Sequence, residues 1–364
     1  MNEDKAARYH RLKRRTSIAS LVWSAALLGG LIVTGATLSL RSTAESLTSA
    51  APVLAYVLLI SLINEAFGLP LAFYSGFLLE RRYGLSNQTF AAWLIDQAKS
   101  FALGATLGGA AASIVYAVMR ASPDRWWLYA GAIFALLIIG LTNLAPVLLL
   151  PMFYSMKPLR RAGLRARLLA LADRAGAQVL GAYEWGLAEK TRKANAALTG
   201  IGGTRRILVS DTMLAEYSEE EIEVVLAHEL AHHVHGDIWK GIAFESGLVI
   251  AGFYLAARTL SAFATAAGLR SISDVAGLPL LLLAAGIVSV VMIPAAHAMS
   301  RAFERSADRF ALELTKNPDA FISAMRRLGA QNLAEDNPSR VVQWLFYSHP
   351  PLRERIASAQ AFRG

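Results

Sequence analysis

Long uncharged apolar stretches alternate with polar stretches along this chain. A helix needs about 20 mostly apolar residues to cross the hydrocarbon core of a bilayer. Six stretches meet that requirement, although the second contains Glu65 and the fifth contains Glu245 and Arg258. The pattern therefore predicts a mainly α-helical polytopic membrane protein with about six transmembrane helices. The predicted spans cover residues 16–40, 52–79, 100–119, 126–154, 241–264 and 275–300.

The polar stretches divide the chain into four predicted parts. Residues 1–156 form an amino-terminal membrane domain with four spans, and residues 157–240 form a polar unit. A transmembrane hairpin follows over 241–300, and residues 301–364 are polar again. An even number of crossings precedes each polar part. We therefore expect both of them on the same side of the membrane as the amino terminus.

The polar unit over 157–240 has the pattern of a small α+β domain. Helical spacing of leucines predicts a helix over 160–178, and strands are predicted over 194–199 and 205–210, joined by the glycine-rich residues 200–203. Ser218 and Glu221 have the spacing of a capping box. A second helix is therefore expected to begin at Ser218 and to end near Gly236.

Composition supports a membrane protein and restricts its chemistry. Of the 364 residues, 55% are hydrophobic and 17% are charged, whereas soluble domains carry about 25% charged residues. The chain has no cysteine, which excludes disulfides, cysteine zinc sites and thiol nucleophiles. The net charge of +9 comes largely from basic residues beside apolar stretches, where they contact membrane lipids. No nucleic-acid partner is expected.

Basic residues before the first apolar stretch set the predicted orientation. Lys13, Arg14 and Arg15 belong to a basic cluster that is expected to stay in the cytoplasm. The stretch after them is as long as a complete span, and no small-residue cleavage site follows it. We therefore interpret it as a transmembrane helix, with both polar parts of the chain in the cytoplasm.

The most specific chemical signal is His228-Glu229-Leu230-Ala231-His232. On a helix, residues four apart share one face, so both imidazoles can bind one zinc ion. Glu229 is then placed to act as the general base on the attacking water. A polar helix end with several surface histidines is the alternative interpretation. The capped amphipathic helix that carries the pattern favours the zinc site.

A catalytic zinc needs a third protein ligand, and Glu304 is the predicted one. Two predicted spans lie between His232 and Glu304, so the chain returns to the same side of the membrane before it reaches the glutamate. Asp308 lies one helical turn further on, where it can accept a hydrogen bond from a ligand histidine. Taken alone, Glu304 could equally be an ordinary charge after a membrane helix.

His349 lies in Tyr347-Ser348-His349-Pro350-Pro351 and is a second candidate for catalysis. An imidazole there could stabilise the oxyanion of a tetrahedral intermediate. The alternative is a histidine in a turn that prolines make rigid, and the residues alone favour this alternative.

These motifs together resemble the CAAX prenyl endopeptidase family of integral-membrane zinc metallopeptidases. Five blocks that are typical of the family occur in the same order, and they extend over nearly the whole chain. They are residues 69–87, residues 195–200 with 210–214, the histidine helix at 228–232, Ser300-Arg301-x-x-Glu304-x-x-Ala307-Asp308, and residues 348–352.

The resemblance implies one zinc ion bound by His228, His232 and Glu304, with Glu229 as the base. It also implies that Asn195 and His349 face the site, and that the strand Asn195-Ala196-Ala197 pairs with the backbone of a peptide or protein substrate. Members of the family enclose a chamber within their helices, with the zinc at its cytoplasmic end. The short chain, its six spans and the Ala197 in place of a tyrosine resemble bacterial members, which implies the bacterial inner membrane.

Three functions are therefore considered. The first is a zinc metalloendopeptidase that cuts peptides or protein tails at the cytoplasmic face, as CAAX proteases do. The second is a quality-control protease for membrane proteins that resembles the HtpX-like bacterial proteases. The third is a non-catalytic membrane scaffold, although a scaffold has no need of His228, Glu229, His232 and Glu304 together.

Overall fold

The computed structural model describes residues 2–200 and 204–362, with side chains from residue 5 onward. Residues 201–203, in the predicted link between the two strands, lie outside the described residues. Within the described part, six helices are long and apolar enough to cross a membrane, as predicted from the sequence. These are α1 (Asn2–Val33), α3 (Pro52–Ala72) with α4 (Leu79–Arg82), α5 (Phe90–Ala121), α6 (Trp126–Leu144) with α7 (Leu150–Phe153), α11 (Asp237–Phe263) and α12 (Leu278–Thr315).

Proline explains why two of these helices change their winding. Short π-helical segments, Phe73–Leu78 and Ala145–Leu149, connect α3 to α4 and α6 to α7. Pro70 precedes the first segment and Pro146 lies in the second. A proline cannot donate the backbone hydrogen bond of the α-helical ladder, and a π-turn accommodates the missing bond.

Several predicted helix ends are wrong. The first span was expected over 16–40, but α1 ends at Val33 because Gly35 adopts a left-handed conformation with φ of 71°. A separate short helix, α2 (Ala36–Leu47), then begins. The predicted helix over 160–178 is shorter in the structure, α8 (Ala162–Arg174), and Gly176 with φ of 70° follows it. By contrast, α12 continues past the predicted span and carries Glu304 and Asp308 on the same helix.

The polar unit contains a four-stranded sheet, of which the sequence predicted two strands. The strands are β1 (Met156–Pro158), β2 (Gly181–Trp185), β3 (Ala196–Thr199) and β4 (Arg206–Ser210), in the order β1-β2-β4-β3. β2 and β4 are parallel, whereas the other neighbours are antiparallel. β3 therefore lies at one edge of the sheet. β1 and β2 escaped prediction because they are short and have no clear alternation of apolar and polar residues.

One buried core connects the sheet to the helices of both polar parts. Leu164, Leu168 and Leu171 of α8 are fully buried, as their spacing predicts, and they share a core with Ile207 of β4 and Ile222 of the next helix. Burying a leucine completely contributes about 1.5–3 kcal/mol relative to its exposed state. The remaining helices of this region are α9 (Asp211–Glu216), α10 (Glu219–Val234), α13 (Pro318–Gln331), α14 (Arg340–Phe346) and α15 (Leu352–Phe362).

The amino-terminal segment and both polar parts lie at the same end of the membrane helices. His10 Nε2 is 2.9 Å from the carbonyl oxygen of Leu333, and Lys193 Nζ is 3.0 Å from Glu80 Oε2. At the opposite end, a buried ion pair between Arg41 and Asp274 joins α2 to the start of α12. This arrangement agrees with the even number of crossings inferred from the sequence.

Candidate active site

Helix α10 presents both histidines of the motif on one face. Ser218 caps its start: the Ser218 hydroxyl accepts a bond from the Glu221 N–H, and the Glu221 carboxylate accepts one from the Ser218 N–H. This is the predicted capping box. The helix ends at Val234, followed by Gly236 with φ of 67°. The imidazoles of His228 and His232 lie one helical turn apart on this helix, and their ring centroids are 5.0 Å apart.

Glu304 of α12 lies directly opposite the two imidazoles. Its carboxylate oxygens are 3.2 Å from His228 Nε2 and 3.4 Å from His232 Nε2. Both His228 and Glu304 are buried, and one ligand atom from each of the three residues lies within 4.8 Å of the others. The structure thus brings together the three residues that the sequence analysis nominated as metal ligands.

The other nitrogen of each imidazole faces a carboxylate. His228 Nδ1 is 2.9 Å from Asp308 Oδ1, and His232 Nδ1 is 3.0 Å from Asp237 Oδ2. In a neutral imidazole, an Nδ1–H that donates to a carboxylate fixes the tautomer and leaves Nε2, which here lies beside Glu304, with the lone pair that a metal ion would bind. This is the arrangement by which metal-binding histidines are commonly oriented.

The donor set fits a metal ion of the zinc type. Glu304 Oε2 is buried and has no hydrogen-bond partner among the residues that the structure describes, although it lies close to His228 Nε2. A buried carboxylate oxygen without a partner is unfavourable unless a cation satisfies it. Two imidazoles and one carboxylate are ligands that suit zinc, and they leave further coordination positions open.

Two further candidates, Glu229 and His349, line a cleft of about 380 Å³ in front of His228 and Glu304. Glu229 follows His228 on α10, and His349 Nε2 lies 3.3 Å from Glu304 Oε1. The His349 side chain is 60% exposed, and its Nδ1 contacts the hydroxyl of Ser348 at 2.9 Å. Both side chains can therefore reach a ligand in the cleft.

The start of β3 forms another wall of the cleft, where Asn195 and Ala196 contribute to the lining. The Asn195 carbonyl accepts a hydrogen bond from the Ser210 N–H at 2.9 Å, so this residue faces β4. Because backbone groups alternate along an antiparallel pair, Ala197 and Thr199 also face β4, and Ala196 and Leu198 face outward. The edge of β3 thus presents its free backbone groups at alternate residues.

Just before β3, the backbone groups of Ala194 on the outward side already have a partner. Asn332 accepts a bond from the N–H of Ala194 at 3.0 Å, and it donates one to the carbonyl of Ala194 at 3.1 Å. The side-chain amide thereby forms the pair of bonds that a neighbouring strand would form. A strand that continued this pairing would next meet Ala196 and Leu198.

The local environment shifts several pKa values at the site, among them those of His228, Glu229 and His349. Burial lowers the pKa of His228, but the neighbouring carboxylates of Asp308 and Glu304 outweigh it and raise that pKa to about 9. Burial raises the pKa of the Glu229 carboxyl, and the neighbouring imidazoles only partly oppose this. Partial desolvation within the cleft lowers the pKa of His349, although its side chain is mostly exposed, and this favours its neutral form. A carboxyl with a raised pKa is better able to hold a proton between two transfer steps.

Sequence reasoning missed two residues of the site, Asp237 and Arg355. Asp237 is the first residue of α11 and holds His232, as described above. Arg355 of α15 donates through Nη2 to Asp308 Oδ1 at 2.5 Å, and it also lies 3.3 Å from His228 Nδ1. Asp237 could have been found as the first acidic residue after the glycine that ends the histidine helix. Arg355 carries no such signal, because α15 itself was not predicted.

A second cavity of about 470 Å³ lies between the membrane helices, lined mostly by apolar residues of α3, α5, α6, α11 and α12. Glu245, one of the two charged residues of the fifth predicted span, is among the residues that line this cavity. None of the residues His228, His232 and Glu304 lines this cavity, so the enclosed chamber that the resemblance implies, with zinc at its cytoplasmic end, remains a prediction.

Two family models match consecutive parts of the chain. The model described as "CAAX prenyl protease N-terminal, five membrane helices" matches residues 2–155, and the model described as "Peptidase family M48" matches residues 158–363. In this chain, residues 2–155 contain four candidate membrane helices and the short helix α2.

Several known proteins are similar over most of the chain. The Bacillus subtilis (strain 168) protein named uncharacterized metalloprotease YhfN is 32% identical over 309 residues, which cover 84% of this chain and 72% of that protein. CAAX prenyl protease 1 of Saccharomyces cerevisiae is 27% identical over 325 residues, covering 84% of this chain and 71% of that protein. The crystal structure of S. mikatae Ste24p matches with a TM-score of 0.85 and 25% identity, over 98% of this chain and 88% of that chain.

Proposed function

From the premise that the chain belongs to peptidase family M48, and is therefore a membrane metalloprotease, we propose that it is a zinc endopeptidase. Its single zinc ion is bound by His228, His232 and Glu304. The observation that carries this proposal is the orientation of the two histidines. A carboxylate lies beside each Nδ1 atom, and both Nε2 atoms face the carboxylate of Glu304, whose buried Oε2 has no hydrogen-bond partner among the described residues.

The chain's own residues supply proton transfer and charge stabilisation. When bound, zinc supplies the Lewis acidity that polarises the scissile carbonyl and acidifies water. Glu229 takes the proton from the attacking water and passes it to the leaving amine, for which its buried position and raised pKa are suited. His349, neutral at its lowered pKa, donates a hydrogen bond to the developing oxyanion, with Asn195 beside it at the cleft.

We propose that the substrate binds as an extended peptide along β3. The N–H and C=O groups of Ala196 face away from β4, so a substrate segment can add to the edge of the sheet, and Asn195 and Ala197 hold Ala196 against β4. An edge strand binds any extended backbone, so this mode suits peptides and unfolded protein tails. It does not suit tightly folded proteins, whose backbone groups are already paired.

We propose that the site faces the cytoplasm, in a bacterial inner membrane. The support is that the basic amino-terminal segment lies at the same end of the helices as the site, together with the excess of basic residues expected there. We also propose that residues 157–240 and 301–364, the two polar parts predicted from the sequence, together form the cytoplasmic catalytic part. A non-catalytic scaffold is not favoured for a member of a protease family.

The test of this proposal is the metal content of the purified protein. Detergent-purified chain should contain one zinc ion, measured by elemental mass spectrometry, and Glu304→Gln should contain little after dialysis. Glu313→Gln is the matched control, because Glu313 lies on the same helix and, within the described part of the chain, its side chain forms only an exposed ion pair with Arg309. Equal zinc in Glu304→Gln and the wild type would refute the proposed ligand set.

A further inference from the structure

The cytoplasmic start of α1 reaches the border of the catalytic cleft through one arginine. Arg14 Nη1 lies 2.7 Å from Glu335 Oε2 and 3.0 Å from the hydroxyl oxygen of Tyr347. The Tyr347 hydroxyl donates to the same carboxylate oxygen of Glu335. The side chains of Arg14 and Glu335 are 18% and 14% exposed, so the three groups form a largely buried cluster.

This cluster fixes the chain two residues before His349. Tyr347 is held at its side chain by Arg14 and Glu335, and its carbonyl accepts a hydrogen bond from Arg301 Nη1 at 2.7 Å. Tyr347, Glu335 and His349 line the same cleft. The imidazole of His349 is mostly exposed, so few packing contacts hold it. Its position in front of Glu304 therefore depends on the backbone that carries it.

The same cluster also joins α1 to the substrate side of the cleft. Glu335 belongs to the segment that begins at Asn332, whose amide pairs with Ala194 just before β3. His10, one turn before Arg14, contacts the carbonyl of Leu333 in that segment. Leu333 has a φ of 55°, an unfavourable conformation for leucine that persists only when its surroundings hold it. Contacts from α1 thus reach both sides of the cleft, the side formed by the start of β3 and the side that carries His349.

We propose that Arg14 is a positioning residue for catalysis, which acts through Tyr347 to hold His349 at the metal site. The inference rests on the proposed function, in which His349 stabilises the oxyanion. Basic residues before a first membrane helix ordinarily set orientation only. Arg14 differs from Arg15, whose side chain is exposed and forms no hydrogen bond or ion pair within the described part of the chain. The amino-terminal segment is therefore part of the active site as well as a topology signal.

Kinetics of Arg14→Met test the inference, with Arg15→Met as the matched control. A displaced oxyanion donor lowers turnover more than binding, so kcat should fall about tenfold, with KM and zinc content within about twofold of the wild type. Tyr347→Phe should resemble Arg14→Met, and Arg15→Met should resemble the wild type. In a His349→Ala background, adding Arg14→Met should change kcat by less than about twofold, because the residue through which it acts is gone. A full tenfold further loss there would overturn the inference.

A measurement that needs no turnover separates this inference from the proposed function. The chain has no cysteine, so Phe346→Cys provides a single attachment point for a nitroxide spin label. Phe346 is exposed and lies directly before Tyr347. Arg14→Met should increase the mobility of the label, seen as a narrower spectrum, whereas Arg15→Met should not. An unchanged spectrum in Arg14→Met would overturn the inference even if the peptidase proved active. If Arg14→Met changed the label spectrum but the protein showed no cleavage that depends on Glu229, the proposed function would be refuted instead.

Discussion

Nε2 of His228 and Oε2 of Glu304 lie 3.2 Å apart, although helix α11 and most of the apolar part of α12 separate the two residues in the chain. The contact exists because α11 and α12 cross the membrane in opposite directions and return the chain to its starting side. α12 then continues without a break from the membrane into the site. The third candidate ligand therefore lies on the same continuous helix as the last membrane span.

Asp237→Asn should weaken zinc binding while leaving the fold intact. The amide cannot accept the His232 Nδ1–H as strongly as the carboxylate does, so the ligand becomes less basic and less well oriented. Loss of such a partner typically reduces metal affinity about 10–100-fold. Competition with a chelator measures the change, and Asp336→Asn serves as the control. Equal affinities in Asp237→Asn and the wild type would show that Asp237 does not orient the ligand.

Zinc affinity should fall with decreasing pH below about 9. The pKa of His228 in the metal-free site is raised to about 9, so this imidazole carries a proton at neutral pH. Zinc binds only the neutral imidazole and must displace that proton, which weakens its apparent affinity about tenfold for each pH unit below the pKa. Calorimetry in buffers of different ionisation enthalpy should detect release of about one proton at pH 7. Zinc binding without proton release would contradict the raised pKa.

Arg355→Leu should destabilise the polar part that contains α15 far more than Arg305→Leu. Both arginines connect α12 with α15, but Arg355 and Asp308 are 13% and 4% exposed, whereas Arg305 and Glu354 are 52% and 46% exposed. Breaking a buried pair costs about 3–5 kcal/mol, and an exposed pair contributes about 0–1 kcal/mol. Thermal unfolding in detergent should show a fall of roughly 6–20 °C for Arg355→Leu. Equal unfolding temperatures for both variants would argue against a buried ion pair.

Leu198→Pro should impair substrate binding without unfolding the sheet. Proline removes the outward N–H of Leu198, and proline is tolerated at an edge strand when its nitrogen faces away from the partner. One lost hydrogen bond should raise KM roughly 3–10-fold, with zinc content unchanged. Ala197→Pro is the matched contrast, because it removes an N–H that faces β4 and should lower the unfolding temperature instead. An unchanged KM in Leu198→Pro would exclude pairing of the substrate with this strand.

The parts of the fold that depend on regular patterns were predictable from the sequence. Six apolar stretches predicted six membrane helices, and the capping box at Ser218 and Glu221 correctly placed the start of α10. The spacing of His228 and His232 required a shared face. The even number of crossings explained how Glu304 could return to the same side. Each of these inferences uses local periodicity or simple topology, which the sequence records directly.

The parts that depend on tertiary contacts were not predictable. β2 pairs with β4 and not with β3, which is the next strand along the chain. Nothing in Gly181–Trp185 indicates that pairing. Arg355 reaches Asp308 only because α15 packs near α12. Arg14 appeared in the sequence only as one of several basic residues before a membrane helix, and its contacts with Glu335 and Tyr347 depend on the complete fold. The predicted limits of the four parts of the chain remain predictions.

Cleavage of an unstructured quenched fluorescent peptide by detergent-purified wild type and Glu229→Gln tests the central claim most directly. The glutamine keeps the size of the side chain but cannot accept a proton, so turnover should fall at least about 100-fold. Zinc content, measured on the same samples, should be equal in both proteins, because Glu229 is not a ligand. Equal cleavage by both proteins, with zinc bound in both, would contradict the assignment of Glu229 as the general base of a zinc peptidase.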